Sequence, residues 1–300
     1  MDGLPDVHAK TIRESCARHH ALIVNRYFLE ALRLAEKLSQ SERRTPNIPQ
    51  PLRDRIEHYK SVVPAARASA PSGHDEMPYR VLLGQIAERL RATYDHRSGQ
   101  YERVEQLTDD LQIIVNSLEA NRGRYAGLFL IRRFLRRVRT FGLHLATLDV
   151  RQNAEVHRQI VGRALAEPGW ETRTAAERVE RLRDALARDE SPPEVLEAAG
   201  KRALWVFEAM DYCRHRYGQA AVGSYVVSMA RDIDDVLSVL LLARWAGLVD
   251  GNNGQVSLDV APLFESVAAL DAAGPTLARL LADPLYRDHL AARGNRQVVM

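Results

Sequence analysis

Cysteine is scarce in this chain: Cys16 and Cys213 are the only two among 300 residues. They stand far apart with no CxxC or CxxH spacing, which excludes a disulfide framework and a cysteine-based zinc site and leads us to expect a reduced, cytoplasmic environment. Aromatic residues make up only 6% of the chain, and a base-stacking platform is not expected. The longest apolar run, residues 236–243, is far too short to span a bilayer. No basic leader followed by an apolar segment opens the sequence, so secretion is not expected either. Also missing are GxSxG, GxGxxG and GxxxxGK[ST], which removes the common serine-hydrolase, dinucleotide and P-loop readings. There is no internal repeat and no low-complexity tract.

What is present is ample for a core: 46% of the residues are hydrophobic, enough for one large domain or two smaller ones. Net charge is only +3, from 42 basic and 39 acidic residues, and so does not point to nucleic acid or a membrane surface. One local exception is IRRFLRRVR, residues 131–139. Ile131, Leu135 and Val138 keep helical spacing there, which makes the arginines the polar side of an amphipathic helix and leaves no case for a nucleic-acid partner.

The N-terminal portion reads as helix after helix. Turn chemistry at Asp2-Gly3 and Pro5, with Asp6 as a cap, leads into a long amphipathic helix over 9–39, its stripe formed by Ile12, Cys16, Ile23, Tyr27, Leu34 and Leu38. His8, His19 and His20 lie on or near it. Adjacent histidines point about 100° apart on a helix, so a shared metal is not expected. Prolines between 46 and 78 bracket a short helix over 52–63, and further helices are expected over 79–94, 107–118 and 125–140.

The stretch TFGLHLATLDVRQ, residues 140–152, reads differently. Leu143, Leu145, Leu148 and Val150 alternate as in a buried strand that ends in Asp149, Arg151 and Gln152. Helices over 154–166, 175–188 and 194–217 follow, with Trp205, Phe207 and Tyr212 as packing aromatics. Residues 224–229 read as a second buried strand, Ala230-Arg231 as a turn, and Asp232 as the cap of a helix over 233–246. A third strand is expected over 256–264, with Pro262 late in it or beyond its ladder, ending at Glu265. Helices over 266–270 and 276–294, broken at Gly274-Pro275 and near Pro284, precede a final strand-like segment at 296–300.

Consecutive strand and helix units of this kind predict an α/β fold, predominantly α-helical, as a doubly wound sheet or a barrel. Either arrangement sets the strand C-termini on one side, and these carry Arg151, Arg231 and Glu265. Arginine donates paired hydrogen bonds to phosphate or carboxylate oxygens, and a glutamate oxygen suits Mg²⁺. An anionic substrate and a divalent cation are therefore the expected ligands, while a strand end carrying an ordinary solvated arginine remains the plain alternative.

Four blocks carry a resemblance: PYRVLLGQIAERL, TFGLHLATLDVRQNAEVH, SYVVSMARDIDDVLSVLLLARWAGL and VAPLFESVAALDAAGPTLARLLADPLYRDHL. In this order they resemble bacterial phosphoenolpyruvate carboxylase over nearly the whole chain, and MDGLPDVHAKTIRES resembles that family's GGDxDGNP block with its first residues missing. The resemblance implies a TIM-type phosphoenolpyruvate/pyruvate barrel with extra helices, residues 1–300 forming its central part, mainly helical over 1–139 and with barrel strands over 140–300. It implies addition of bicarbonate to phosphoenolpyruvate, an anaplerotic carbon-fixing step feeding the tricarboxylic acid cycle, with Mg²⁺ or Mn²⁺ as cofactor and a homotetramer as the assembly. Arg151, in LDVRQ, matches the arginine that holds phosphate or carboxyphosphate oxygens. Glu265, in APLFE, matches one of two metal ligands. Arg231 has no motif behind it and is a substrate-binding candidate by position alone.

Departures from the family pattern are as informative. No HPTE block, no YSDSAKDAG block and no GRGGSIGRGG loop occurs in the chain, and Leu4 stands where the family has Asn. The expectation is thus a fragment from the middle of a longer enzyme, inactive alone; the alternative is a non-catalytic helical scaffold or interaction protein derived from the same fold.

Overall fold

The structure, a computed structural model, describes residues 8–43, 47–68 and 76–300. The opening turn at 2–6, with its proposed Asp6 cap and Leu4, lies outside the described residues. The chain divides into two compact units, one of residues 16–146 and one of residues 1–15 with 147–300.

The helical unit contains α1 (Ala9–Lys37) from Cys16 onward, α2 (Gln50–Val62), α3 (Ala65–Ala68), α4 (Pro78–Tyr94), α5 (Val104–Ala120) and α6 (Leu128–Phe141). The stripe residues Ile23, Tyr27, Leu34 and Leu38 are buried as their spacing requires, and they join Leu52, Tyr59, Tyr79, Ile86, Ile114 and Phe134 in one core. Proline opens both α2 and α4, where its missing N–H costs nothing.

A polar hub sits inside this core. Asp110 is fully buried and accepts from Tyr59 Oη (2.8 and 2.7 Å), Tyr101 Oη (2.6 Å) and Arg55. Arg89 donates to Tyr59 Oη at 2.5 Å and lies over the Tyr101 ring at 3.9 Å. Every oxygen of Asp110 is thereby satisfied, which is the condition for burying a carboxylate. Burial still pushes its pKa up, against the pull of the two tyrosines and two arginines.

Four of the five arginines of α6 have side-chain partners. Arg132 meets Glu119, Arg133 and Arg137 meet Glu30, and Arg139 donates to Gln112. No metal cluster of three or more His, Cys, Asp or Glu occurs among the described residues. His20 donates through Nδ1 to the Leu143 carbonyl at 2.7 Å and stacks on His96.

The expected strand over 140–152 does not form as one element. Helix α6 runs on to Phe141, Gly142 and Leu145 take left-handed backbone (φ 54 and 67), and the strand starts only at Leu148. Leu143 is buried in the helical core, not on a sheet. Four leucine and valine positions fit both periodicities when the run is this short, and the two left-handed residues are what breaks it.

The sheet unit holds β1 (Leu148–Asn153), α7 (Ala154–Ala164), α8 (Ala175–Ala187), α9 (Ala198–Tyr217), β2 (Val222–Ser228), α10 (Ile233–Trp245), β3 (Val260–Pro262), α11 (Val267–Ala282) and α12 (Pro284–Ala292). The three strands form one parallel sheet in the order β1-β2-β3. Arg151 pairs with Val226, and Val226 pairs with Ala261. β3 is shorter than the expected 256–264, and Pro262 is its last residue, where its carbonyl accepts from Met300 N–H at 3.1 Å. Met300 in turn accepts from Phe264 N–H at 3.0 Å, so the strand-like tail lies along β3.

β1 and β2 meet so closely at their start that a Cβ on Gly223 would lie 2.4 Å from Asp149 Oδ1, which accepts from Ser224 N–H at 2.9 Å. Behind the sheet, Tyr225 stacks on Phe207 and hydrogen-bonds His157 Nε2 at 2.8 Å. Burial holds His157 neutral, its pKa pushed down to about 3. Farther along α7, Gly162 backs onto the ring of Trp170, whose Nε1 donates to the Arg158 carbonyl; a Cβ at 162 would sit 2.2 Å from Trp170 Cδ1.

Two further expectations change. Pro275 does not end a helix but lies inside α11, whose packed residues Ala269, Thr276 and Leu280 hold it across the lost hydrogen bond. Phe207 is core, whereas Trp205 and Tyr212 are 52% and 44% exposed, with Arg13 over the Tyr212 ring. Among the described residues no helix is long and apolar enough to cross a membrane.

Candidate active site at the strand ends

Parallel pairing places the last residues of β1, β2 and β3 side by side, and their polar groups converge. Arg151 of β1 donates through Nη2 to Glu265 Oε2 at 2.8 Å, just past β3. The other carboxylate oxygen, Oε1, accepts the backbone N–H of Met229, just past β2, at 2.9 Å. One glutamate thus ties together all three strand ends. Side-chain exposures of 25% for Arg151 and 28% for Glu265 leave the pair open to solvent.

The turn after β2 is fixed from beneath. Asp232 caps α10, and Asp235 closes a capping box while accepting from Arg231 N–H at 2.9 Å. Asp235 also pairs with Arg158 of α7 at 2.7 Å, and Asp234 pairs with Arg178 of α8 at 2.6 Å and Arg158 at 3.7 Å. Two carboxylates and two guanidiniums therefore share one buried pocket without net charge. Burial, reinforced by Asp235, raises the Asp234 pKa. Burial opposes the charge on Arg158, yet Asp235, Asp234 and Glu155 together keep its pKa raised.

Arg231 is not brought to the pair. Its side chain is exposed and makes no hydrogen bond or ion pair among the described residues, and its backbone alone is engaged. Met229, Arg158 and the Asp234–Asp235 pair are not among the residues that the sequence singles out. Only Asp232 and Asp235, at capping-box spacing, left a local signal for the last of these.

As a metal site the rim is partial. Glu265 supplies a hard anionic oxygen fit for one position on Mg²⁺, but Arg151 and Met229 occupy both its oxygens, and no group of three or more His, Cys, Asp or Glu forms around it among the described residues. What the arrangement offers is a planar cationic fork beside a carboxylate, suited to binding phosphate or carboxylate oxygens next to a cation.

These features define an α/β protein that gathers an arginine and a glutamate at the C-terminal ends of parallel strands. The family model described as phosphoenolpyruvate carboxylase matches residues 1–300, and the chain belongs to that family. It is 44% identical over 300 residues to the phosphoenolpyruvate carboxylase of Xanthomonas oryzae pv. oryzae, covering 100% of this chain and 33% of that protein. It is 33% identical over 325 residues to that of Ralstonia nicotianae and 31% over 323 residues to that of Nocardia farcinica, covering all of this chain and 32% and 34% of those proteins. The chain thus spans about a third of the length of these curated relatives.

Proposed function

We propose that this chain is the portion of a cytoplasmic phosphoenolpyruvate carboxylase that contributes one arginine and one metal-binding carboxylate to the active site. The observation that carries the reading is the Arg151–Glu265 contact across the parallel strand ends. In the reaction proposed, the bond between the enol oxygen and phosphorus of phosphoenolpyruvate breaks as a bicarbonate oxygen takes the phosphoryl group, giving carboxyphosphate and the pyruvate enolate. The enolate carbon then bonds to the carboxyl carbon and phosphate departs, leaving oxaloacetate. Arg151 would hold the phosphoryl oxygens and neutralise charge that moves during transfer. Mg²⁺, held in part by Glu265, supplies Lewis-acid stabilisation of developing oxygen charge when bound.

The parallel order β1-β2-β3, extended by the pairing of Met300 with the Pro262 to Phe264 segment, supports an arc of a TIM-type barrel. The homotetramer rests on the family resemblance. The 300 residues contain no HPTE histidine and no glycine-rich arginine loop, and by themselves should produce no oxaloacetate.

The test is oxaloacetate formation, coupled to NADH oxidation, by the complete enzyme carrying Arg151→Lys or Glu265→Gln. Lysine keeps the charge but loses the planar fork, so turnover should fall while the Mg²⁺ dependence stays. Glutamine removes the anionic oxygen, so the Mg²⁺ requirement should rise. Superimposable Mg²⁺ curves for the two variants would remove both assignments.

A further inference from the structure

Seven described residues other than glycine have left-handed backbone. Five of them, His96, Arg122, Ala166, Asp189 and Asn295, lie two or three residues past helix ends, where left-handed backbone closes the last turn. Leu145 turns the connection between α6 and β1. Met229 is different: with φ 55 it sits at the end of β2, beside the Arg151–Glu265 pair.

Glycine would adopt this conformation without penalty, and asparagine nearly so. The position instead carries a long apolar side chain, 37% exposed, between buried Ser228 and Ala230. Three consecutive N–H groups fix the turn: Met229 to Glu265 Oε1, Ala230 to the Leu263 carbonyl at 3.2 Å and Arg231 to Asp235. A strained residue persists where its surroundings over-determine it, and such strain collects where a side chain is needed for function.

We propose that Met229 is a substrate-contacting residue, its thioether side chain forming an apolar wall for the carbon skeleton of the small anionic enol substrate while Arg151 takes the charged oxygens. This rests on the functional reading above and adds to it the residue that reads the non-ionic part of the substrate. The polarisable, unbranched side chain suits a flat three-carbon unit that offers no hydrogen-bonding group on its methylene end.

The complete enzyme carrying Met229→Leu, Met229→Asn or Met229→Gly separates a wall from a turn. Leucine keeps the apolar contact at the same backbone cost, while asparagine and glycine relieve the backbone and remove the contact. The expected result is a KM for phosphoenolpyruvate within about twofold of the parent for leucine and raised about fivefold for asparagine and glycine, the worth of part of a methionine-sized contact, with the melting temperature held or raised. Unchanged KM for asparagine and glycine, or a leucine variant as impaired as asparagine, overturns the proposal. Arg151→Lys measured alongside tells the two failures apart. If it is impaired while asparagine and glycine are not, the wall alone is wrong; if it retains full turnover, the functional reading falls and the wall with it.

Discussion

Two arginine–carboxylate assemblies in this chain look alike on paper and differ in what surrounds them. Around Asp110 in the helical unit, two tyrosines and two arginines fill every direction and the carboxylate is fully buried. Around Glu265 in the sheet unit, one arginine and one backbone N–H donate to the carboxylate, and a quarter of each side chain faces water. A buried, saturated pair has nothing left to offer a ligand and serves cohesion. An open pair adds little to stability and can exchange partners, which is what a binding site needs.

Breaking the buried hub should produce the largest effect on folding. Asp110→Ala leaves Arg55, Arg89, Tyr59 and Tyr101 without their shared acceptor, at a cost of about 3–5 kcal/mol. Thermal unfolding followed by near-ultraviolet tyrosine dichroism measures it. A change under about 1 kcal/mol would put Asp110 in the same class as the rim pair.

Acid should separate the two units next. His157 and His289 of the sheet unit are buried neutral, with pKa values pushed down to about 3 and about 4 by burial. Depressed folded pKa values mean that their stabilising contribution is complete above the ordinary histidine range and is lost as pH falls from about 6.5 toward those values. The slope approaches about 1.4 kcal/mol per pH unit for each. Asp234, raised by burial and by Asp235, works the other way within the same unit, and Asp110 does so in the helical unit. All three tryptophans, Trp170, Trp205 and Trp245, belong to the sheet unit, so their fluorescence reports it alone. It should change at higher pH than the protection of residues 16–146 against amide hydrogen exchange, which reports the helical unit. Coincident transitions would show that the units do not titrate separately.

A smaller effect is expected where β1 and β2 crowd together. Gly223→Ala drives a methyl into Asp149 Oδ1 and Thr147, and Asp149 must release Ser224 N–H, a loss of about 1 kcal/mol detectable by urea unfolding. Smallest of all should be Arg151→Met, which removes a partly exposed pair worth under about 1 kcal/mol and yet abolishes the proposed phosphate contact. A melting temperature lowered as far as that of Asp110→Ala would make the rim pair structural and collapse the contrast.

Much of this was legible in the residues and some was not, for definable reasons. The stripe of α1 is a long periodic pattern and survives intact, as does Asp232 as a cap. The run over 140–152 failed because helix and strand patterns overlap in a short apolar stretch, and only the left-handed Gly142 and Leu145 decide between them. Arg151 and Glu265 could each be picked out as a charge at a strand end. Their bond could not, since it spans 114 positions and depends on strand register. Met229 is invisible in sequence because its backbone angle leaves no compositional trace, and Arg158 is one basic residue among many on a helix.

Gly162 and Trp170 form a lock in which shape, not charge, restricts change. With a Cβ at 162 placed 2.2 Å from the indole, any larger residue there is barred while the tryptophan stays. Losing the tryptophan first abandons the carbonyl of Arg158, the residue that anchors the buried aspartates. Single steps are thus costly in either order, and lineages that differ here should differ at both positions together, trading ring for side chain as one inherited unit.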